Sequence, residues 1–353
     1  MPDPASFSAC LQRNREVRSF AKLDRWREFF LSGALLLVAC NFALNLARDG
    51  QYLFPIESYT HLDLKLPYQY RILMVPVFRI LISFFEIANL QKFFAHVPAY
   101  LATPEAFSYF TVNSFSFFVA MQAFRRIAFH IFQSTALTAC GIFLFIVITY
   151  LAFVLNPNLN FILPYDLPSL AFVQLGTLCI VRGWWKTLIG LFAIATVNRE
   201  TTFLLIIFLM FGWWFHQRKE RNSVLIVAAA LGAIWIAIKL TLFLTVTGSG
   251  SDAPLGGMFA LKLISNLAEF LRPWQWPSLL PNLLPLGILA ALLSMRLRSH
   301  REWHMTAVVG YAVLFPVAQV AEFRAFGDLI GFFAMSLTLI LRERNLIIPC
   351  ESK

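Results

Sequence analysis

Charge is what this sequence has least of. Of its 353 residues only 14% are Asp, Glu, Lys or Arg, against roughly 25% in ordinary soluble domains. With 59% hydrophobic residues and 37 phenylalanines, there are too few polar side chains to cover the surface of a water-soluble fold. That excludes a disordered chain and most soluble enzyme folds. The five cysteines are also uninformative as a framework. Cys10 and Cys350 lie in polar tails, and Cys40, Cys140 and Cys179 sit inside apolar runs. No C-x-x-C and no Cys/His pair has metal spacing, so a secreted disulfide scaffold and a structural zinc site are excluded. The nucleotide and metalloprotease signatures G-x-x-x-x-G-K-[ST] and H-E-x-x-H are missing, as is the hydrolase elbow G-x-S-x-G. An ATP-driven pump or membrane protease of the usual kinds is therefore not expected.

What the sequence has instead is apolar runs separated by short basic clusters, the pattern of a polytopic α-helical membrane protein. Runs long enough to suggest membrane helices lie near 29–47, 107–124, 128–155, 167–182, 185–198, 201–216, 223–245, 278–296, 305–321 and 328–341. The expected fold is all-α, with about ten transmembrane helices. The stretch 71–90 carries Arg71, Pro76, Arg79 and Glu86, and reads as an amphipathic helix in the interface. The first 28 residues are basic and polar, so the first apolar run reads as a retained anchor and not a cleaved signal.

The formal charge of +10 gives an orientation. If 71–90 does not cross, 19 of the 29 basic residues fall on one side together with eight acids, leaving that side at +11 and the rest at −1. By the positive-inside rule that side is cytoplasmic, and both termini belong to it. The charge is then no nucleic-acid footprint. This topology divides the chain into a cytoplasmic tail at 1–28, one membrane domain at 29–341 and a second tail at 342–353. The outer face receives two long loops, 48–106 and 246–277. It also receives three polar spots at helix ends: Tyr165-Asp166, Asn198-Arg199-Glu200 and Glu322-Phe323-Arg324. Function is expected there, since the cytoplasmic loops are short and nondescript.

Ionisable groups at membrane depth cost roughly 2.5–3.5 kcal/mol, so they are paired or functional. Arg199 and Glu200 read either as a tight outer hairpin or as a site where the Arg199 fork grips a phosphate bidentately. In the second case Thr201 or Thr202 adds a hydroxyl at a helix start. Asp166 reads as an N-cap for the helix that begins near Leu167, with Pro168 in its first turn; a cap can also face a site. Glu322 and Arg324 read as a surface pair or as further site residues. In the first loop, Asp49 and Asp63 are either solvated turn acids or general bases for a hydroxyl acceptor. Arg71 opens the interfacial helix.

The order of parts resembles the GT-C superfamily of membrane glycosyltransferases, which use polyprenyl-phosphate-linked sugars. In that layout one span leads to a long outer loop with a carboxylate and membrane-surface helices, and a second span ends in basic residues. The corresponding parts here are 29–47, Asp49 within 48–106, the helix at 71–90, and 107–124 ending in Arg125-Arg126. The segments P-Y-Q-Y-R-I-L-M-V-P, Y-D-L-P-S-L-A-F, N-R-E-T-T-F-L-L and E-F-R-A-F-G-D-L look like blocks of uncharacterised bacterial inner-membrane proteins. One departure is that Gly50 stands beside Asp49, where the family usually has an adjacent acid. The resemblance implies Asp49 or Asp63 as catalytic base, with Arg71, Asp166, Arg199, Glu200, Glu322 and Arg324 binding substrate. The implied partners are membrane lipids, a polyprenyl-phosphate sugar donor and a glycan or lipid acceptor, in the bacterial inner membrane. No cofactor and no metal ligand are expected. A transporter or flippase of a lipid-linked or anionic substrate, and a non-catalytic assembly protein, are the competing readings.

Overall fold

The computed structural model describes residues 26–48, 56–61, 71–87, 96, 98–154, 163–216, 221–245, 263–272, 300–316 and 323–343. Among these residues every regular element is a helix. Three helices are long and apolar enough to cross a membrane: α1 (Trp26–Arg48), the helix containing Thr135–Phe153, and the one containing Asn222–Leu242. At 1.5 Å per residue these apolar spans reach about 28–34 Å, which matches a hydrocarbon core of about 30 Å.

After α1 come two short helices, α2 (Ile56–His61) and α3 (Met74–Ile87). The 14 residues of α3 reach only about 21 Å, less than the hydrocarbon thickness. One face of α3 buries Met74, Val75, Phe78 and Phe85, while Val77, Ile80, Phe84 and Ile87 form an exposed apolar stripe on the other. Arg79 and Glu86, seven residues apart, share an exposed polar strip of α3, while Arg71 lies before the helix. The Arg79 guanidinium donates to the Thr60 carbonyl (2.8 Å from Nε) and ties α3 to α2.

The next two helices depart from the expected spans at 107–124 and 128–155. α4 (Pro104–Phe132) is one helix of 29 residues, and α5 (Thr135–Phe153) follows it. Arg125 and Arg126 lie inside α4 because arginine is a good helix former and stops nothing by itself. Thr103 caps the start, accepting from the Ala106 N–H at 3.2 Å, with Pro104 in the first turn. The helix ends where Gln133 turns left-handed at φ 51°, and Ser134 then caps α5 through the Leu137 N–H.

α1 and α4 run antiparallel. Near one end Arg125 pairs with Glu28 (2.6 Å) and Gln122 donates to Ser32 (3.1 Å). Toward the other, the Phe42 ring packs on Phe117 at 4.5 Å. The chain between α1 and α4 thus starts and finishes at the same end of the bundle. α5 returns toward that end, where Tyr150 donates to Asn41 (2.9 Å).

The remaining helices are α6 (Asp166–Arg182), α7 (Trp185–Asn198), α8 (Phe203–His216), α9 (Arg221–Thr245), α10 (Leu263–Phe270), α11 (Arg301–Leu314) and α12 (Ile330–Glu343). α4 packs on α6, α5 on α12, α8 on α11, and α9 on both α7 and α8. Gly331 of α12 lets the Gln174 amide of α6 approach so closely that a Cβ there would sit 2.3 Å from it, the small-residue contact common between membrane helices. The expected span 305–321 begins earlier, at Arg301, and its helix ends at Leu314. Phe315 keeps helical dihedrals (φ −53°, ψ −42°), and Pro316 stops the helix there because it has no N–H to bond back to the preceding turn. The expected span 278–296 lies outside the described residues.

Candidate functional site

Two consecutive residue pairs organise one end of the bundle: Tyr165-Asp166 at the start of α6, and Arg199-Glu200 between α7 and α8. α7 ends when Arg199 adopts extended geometry (φ −157°, ψ 147°), and Glu200–Thr202 form a single 3₁₀ turn before α8. Neighbours in an extended stretch project to opposite sides. Arg199 accordingly turns into the bundle and Glu200 toward its rim.

The inner group is closed. Arg199, 4% exposed, lies 3.1 Å from the Asp166 carboxylate and 3.7 Å from that of Asp328. Asp328 sits in the 3₁₀ turn Phe323–Leu329 that leads into α12. Its Oδ2 accepts from Ser169 of α6 (2.9 Å) and from the Thr201 hydroxyl. Asp166 is not the expected N-cap. It is the first residue of α6, and its Oδ2 accepts from the Leu163 N–H behind it (3.0 Å). Asn198 donates to the Tyr165 carbonyl at 3.0 Å, and the Thr196 and Thr202 hydroxyls meet at 3.0 Å. Four helix ends are thus tied by one buried cation and two buried anions. Such a group loses several kcal/mol of stabilisation when one partner is removed.

The outer group is more open. Arg71, just before α3, pairs with Glu200 and lies over the Tyr165 ring, 4.6 Å from its centroid. Lys239 of α9 approaches the same carboxylate at 4.0 Å. The Glu200 side chain is 42% exposed, against 12% for Arg71 and 15% for Lys239. Tyr59 of α2 donates to the Arg71 carbonyl (2.6 Å), and the Trp235 indole N–H to the Glu200 carbonyl (2.9 Å). The inner group therefore sets one cation against two carboxylates, and the outer group two cations against one carboxylate. A rim with spare positive charge covers a floor with spare negative charge.

This cluster lies at the end toward which α5 runs. Gly327, next to Asp328, packs against the Phe153 ring, which lies 6.5 Å from Phe42. Of the residues expected to bind substrate, Arg71, Asp166, Arg199 and Glu200 come together here. Glu322 lies outside the described residues, as do Asp49 and Asp63. Arg324 lies on the turn that carries Asp328. Asp328 and Lys239 were not expected in the site. Asp328 stands four residues beyond Arg324 in the same polar block, and its position was the available signal. Lys239 reads from sequence as a snorkelling lysine. Among the described residues no three His, Cys, Asp or Glu side chains are grouped as a metal site.

No family model, no curated protein and no solved structure matches this chain.

Proposed function

We propose that this protein is a GT-C-type membrane glycosyltransferase with about ten spans and both termini in the cytoplasm of a bacterial cell. It transfers a sugar from a polyprenyl-phosphate donor to an acceptor on the outer face of the inner membrane. The observation that carries this reading is the rim of Arg71 and Lys239 around the half-exposed Glu200. Two cations that share one carboxylate retain a net positive charge, and a phosphate can take the place of that carboxylate. Arg71 supplies the planar fork that suits an oxyanion, and Lys239 a mobile point charge. Arg199, gripped by two buried acids, serves to hold the turn that presents Glu200.

In this mechanism a carboxylate of the first outer loop, Asp49 or Asp63, takes the proton from an acceptor hydroxyl. The acceptor oxygen bonds to the anomeric carbon as the bond from that carbon to the phosphate oxygen breaks. Polyprenyl phosphate leaves with the bonding pair, and Arg71 and Lys239 offset the charge it gains. The exposed stripe of α3 (Val77, Ile80, Phe84, Ile87), the helix that Arg71 precedes, suits contact with lipid beside the site.

The test is sugar transfer from a radiolabelled polyprenyl-phosphate donor by the full chain in proteoliposomes. Arg71→Ala and Asp49→Asn are each expected to abolish transfer while the protein stays folded and inserted. Full activity in both variants, or donor movement across the bilayer with no covalent product, would overturn the proposal. The second result would favour a transporter.

A further inference from the structure

One member of the outer rim is free to leave, while the others are held. The Glu200 backbone is fixed, because its carbonyl accepts from the Trp235 indole N–H (2.9 Å) and from the Phe203 N–H. Arg199 beside it is gripped by Asp166 and Asp328. Arg71 is fixed as well: the Tyr59 hydroxyl donates to its carbonyl, and its guanidinium lies over the buried Tyr165 ring. The Glu200 side chain, in contrast, is far more exposed than those of Arg71 and Lys239. Its carboxylate is bound as an oxyanion ligand would be. Arg71 offers Nε to Oε2 (3.3 Å) and Nη2 to Oε1, two donors of one planar fork, and Lys239 stands 4.0 Å from Oε2.

We infer that Glu200 is a tethered plug in the phosphate seat, which screens it from anions dissolved in water and yields to a phosphate held in the membrane. The inference rests on Arg71 and Lys239 being the phosphate seat of the proposed transferase. A change of side-chain rotamer carries the carboxylate into water and leaves both cations in place. A competitor on a short tether faces its site at an effective concentration on the order of millimolar or more. Every incoming anion displaces the same carboxylate, so all lose affinity by the same factor. A dilute phosphate in solution then leaves the plug where it is. A lipid-anchored phosphate is confined to the membrane, meets the seat at a far higher local concentration, and stays bound despite the same loss. If Glu200 only steadied Arg71 as a surface ion pair, removing its charge would weaken anion binding or leave it unchanged.

The test is calorimetric titration of the purified full chain in phosphatidylcholine nanodiscs. Geranyl phosphate is the membrane-held anion, inorganic phosphate the dissolved one, and geraniol the uncharged control. Geranyl phosphate is expected to bind saturably, inorganic phosphate far more weakly, and geraniol to show no saturable binding. Glu200→Gln keeps the shape and removes the charge, and should tighten both phosphates by about 10-fold, the effect of one charge-assisted hydrogen bond. Glu200→Asp keeps the charge but falls one methylene short of the Arg71 fork. It should therefore tighten both phosphates too, and it serves as the second variant should Glu200→Gln fail to fold. Glu28→Gln, which removes the same charge at the other end of the bundle, should change nothing. Unchanged or weaker phosphate binding in Glu200→Gln, with Arg71→Ala still abolishing it, would overturn the plug and leave the seat standing. Glu200→Asp binding like the parent would do the same. Binding that survives Arg71→Ala, or no binding of geranyl phosphate to any of these proteins, would overturn the seat and the plug together. Inorganic phosphate binding as tightly as geranyl phosphate would overturn the screening of dissolved anions.

Discussion

Replacing Arg199 with methionine should damage the protein more than any change of similar size on its surface. The substitution keeps an unbranched side chain and removes only the guanidinium. Asp166 and Asp328, 1% and 0% exposed, would then face each other without their shared cation. Removing one partner of a buried pair costs about 3–5 kcal/mol. For domains of 150–250 residues 1 kcal/mol shifts Tm by about 2–4 °C, so at about 2 °C each the expected fall is roughly 6–10 °C. The assay is thermal unfolding of detergent-purified protein, followed by size-exclusion of the soluble fraction. The triple variant Arg199→Met, Asp166→Asn, Asp328→Asn removes the uncompensated charge, and should recover more than half of the loss. An Arg199→Met protein as stable as the parent would refute the reasoning. So would a triple variant no more stable than the single one, since the damage would then not arise from stranded carboxylates.

Three further outcomes follow from the packing. Glu28→Gln should change stability by at most about 1 kcal/mol, measured in the same thermal assay, because the Glu28 side chain of the Arg125 pair is 58% exposed. Gly331→Ala should destabilise by about 1–3 kcal/mol, since its methyl group would collide with the Gln174 amide; Gly190→Ala, where a Cβ meets nothing, should be neutral or better in the same assay. In a background with native cysteines replaced, Glu57→Cys and Arg301→Cys should react with an impermeant maleimide from opposite sides of the membrane. Labelling from one side would refute the assignment of α2 and the start of α11 to opposite ends.

The part of the fold that could be read in advance rests on short-range signals. Hydropathy picks out α1, α6, α7 and α9 almost to the residue, because an apolar run bounded by charge is a local property. The boundary between α4 and α5 is not legible in the paired arginines, which look like a loop; the break lies at a left-handed Gln133 and a Ser134 cap. The end of α11 is local too, marked by Pro316 two residues beyond Leu314. In the site, Asp166, Arg199, Glu200 and Arg71 stood out because charge is so scarce. Their pairings did not, because they join residues far apart in sequence: 71 with 200, 166 with 199, and 199 with 328. No local period encodes such contacts.

The helices around the polar cluster are unequal in a way that bears on the membrane itself. α7, α8, α11 and α12 have 14 residues each and reach about 21 Å, while α4 with 29 residues reaches about 43 Å. A bilayer adapts to short helices by thinning around them, at a cost of fractions of a kcal/mol per ångström. With these four helices crossing as proposed, a lipid leaflet meeting this side of the protein would dip toward the turn that carries Arg199 and Glu200. The phosphate of the proposed donor would then meet Arg71 and Lys239 without being lifted out of the headgroup layer.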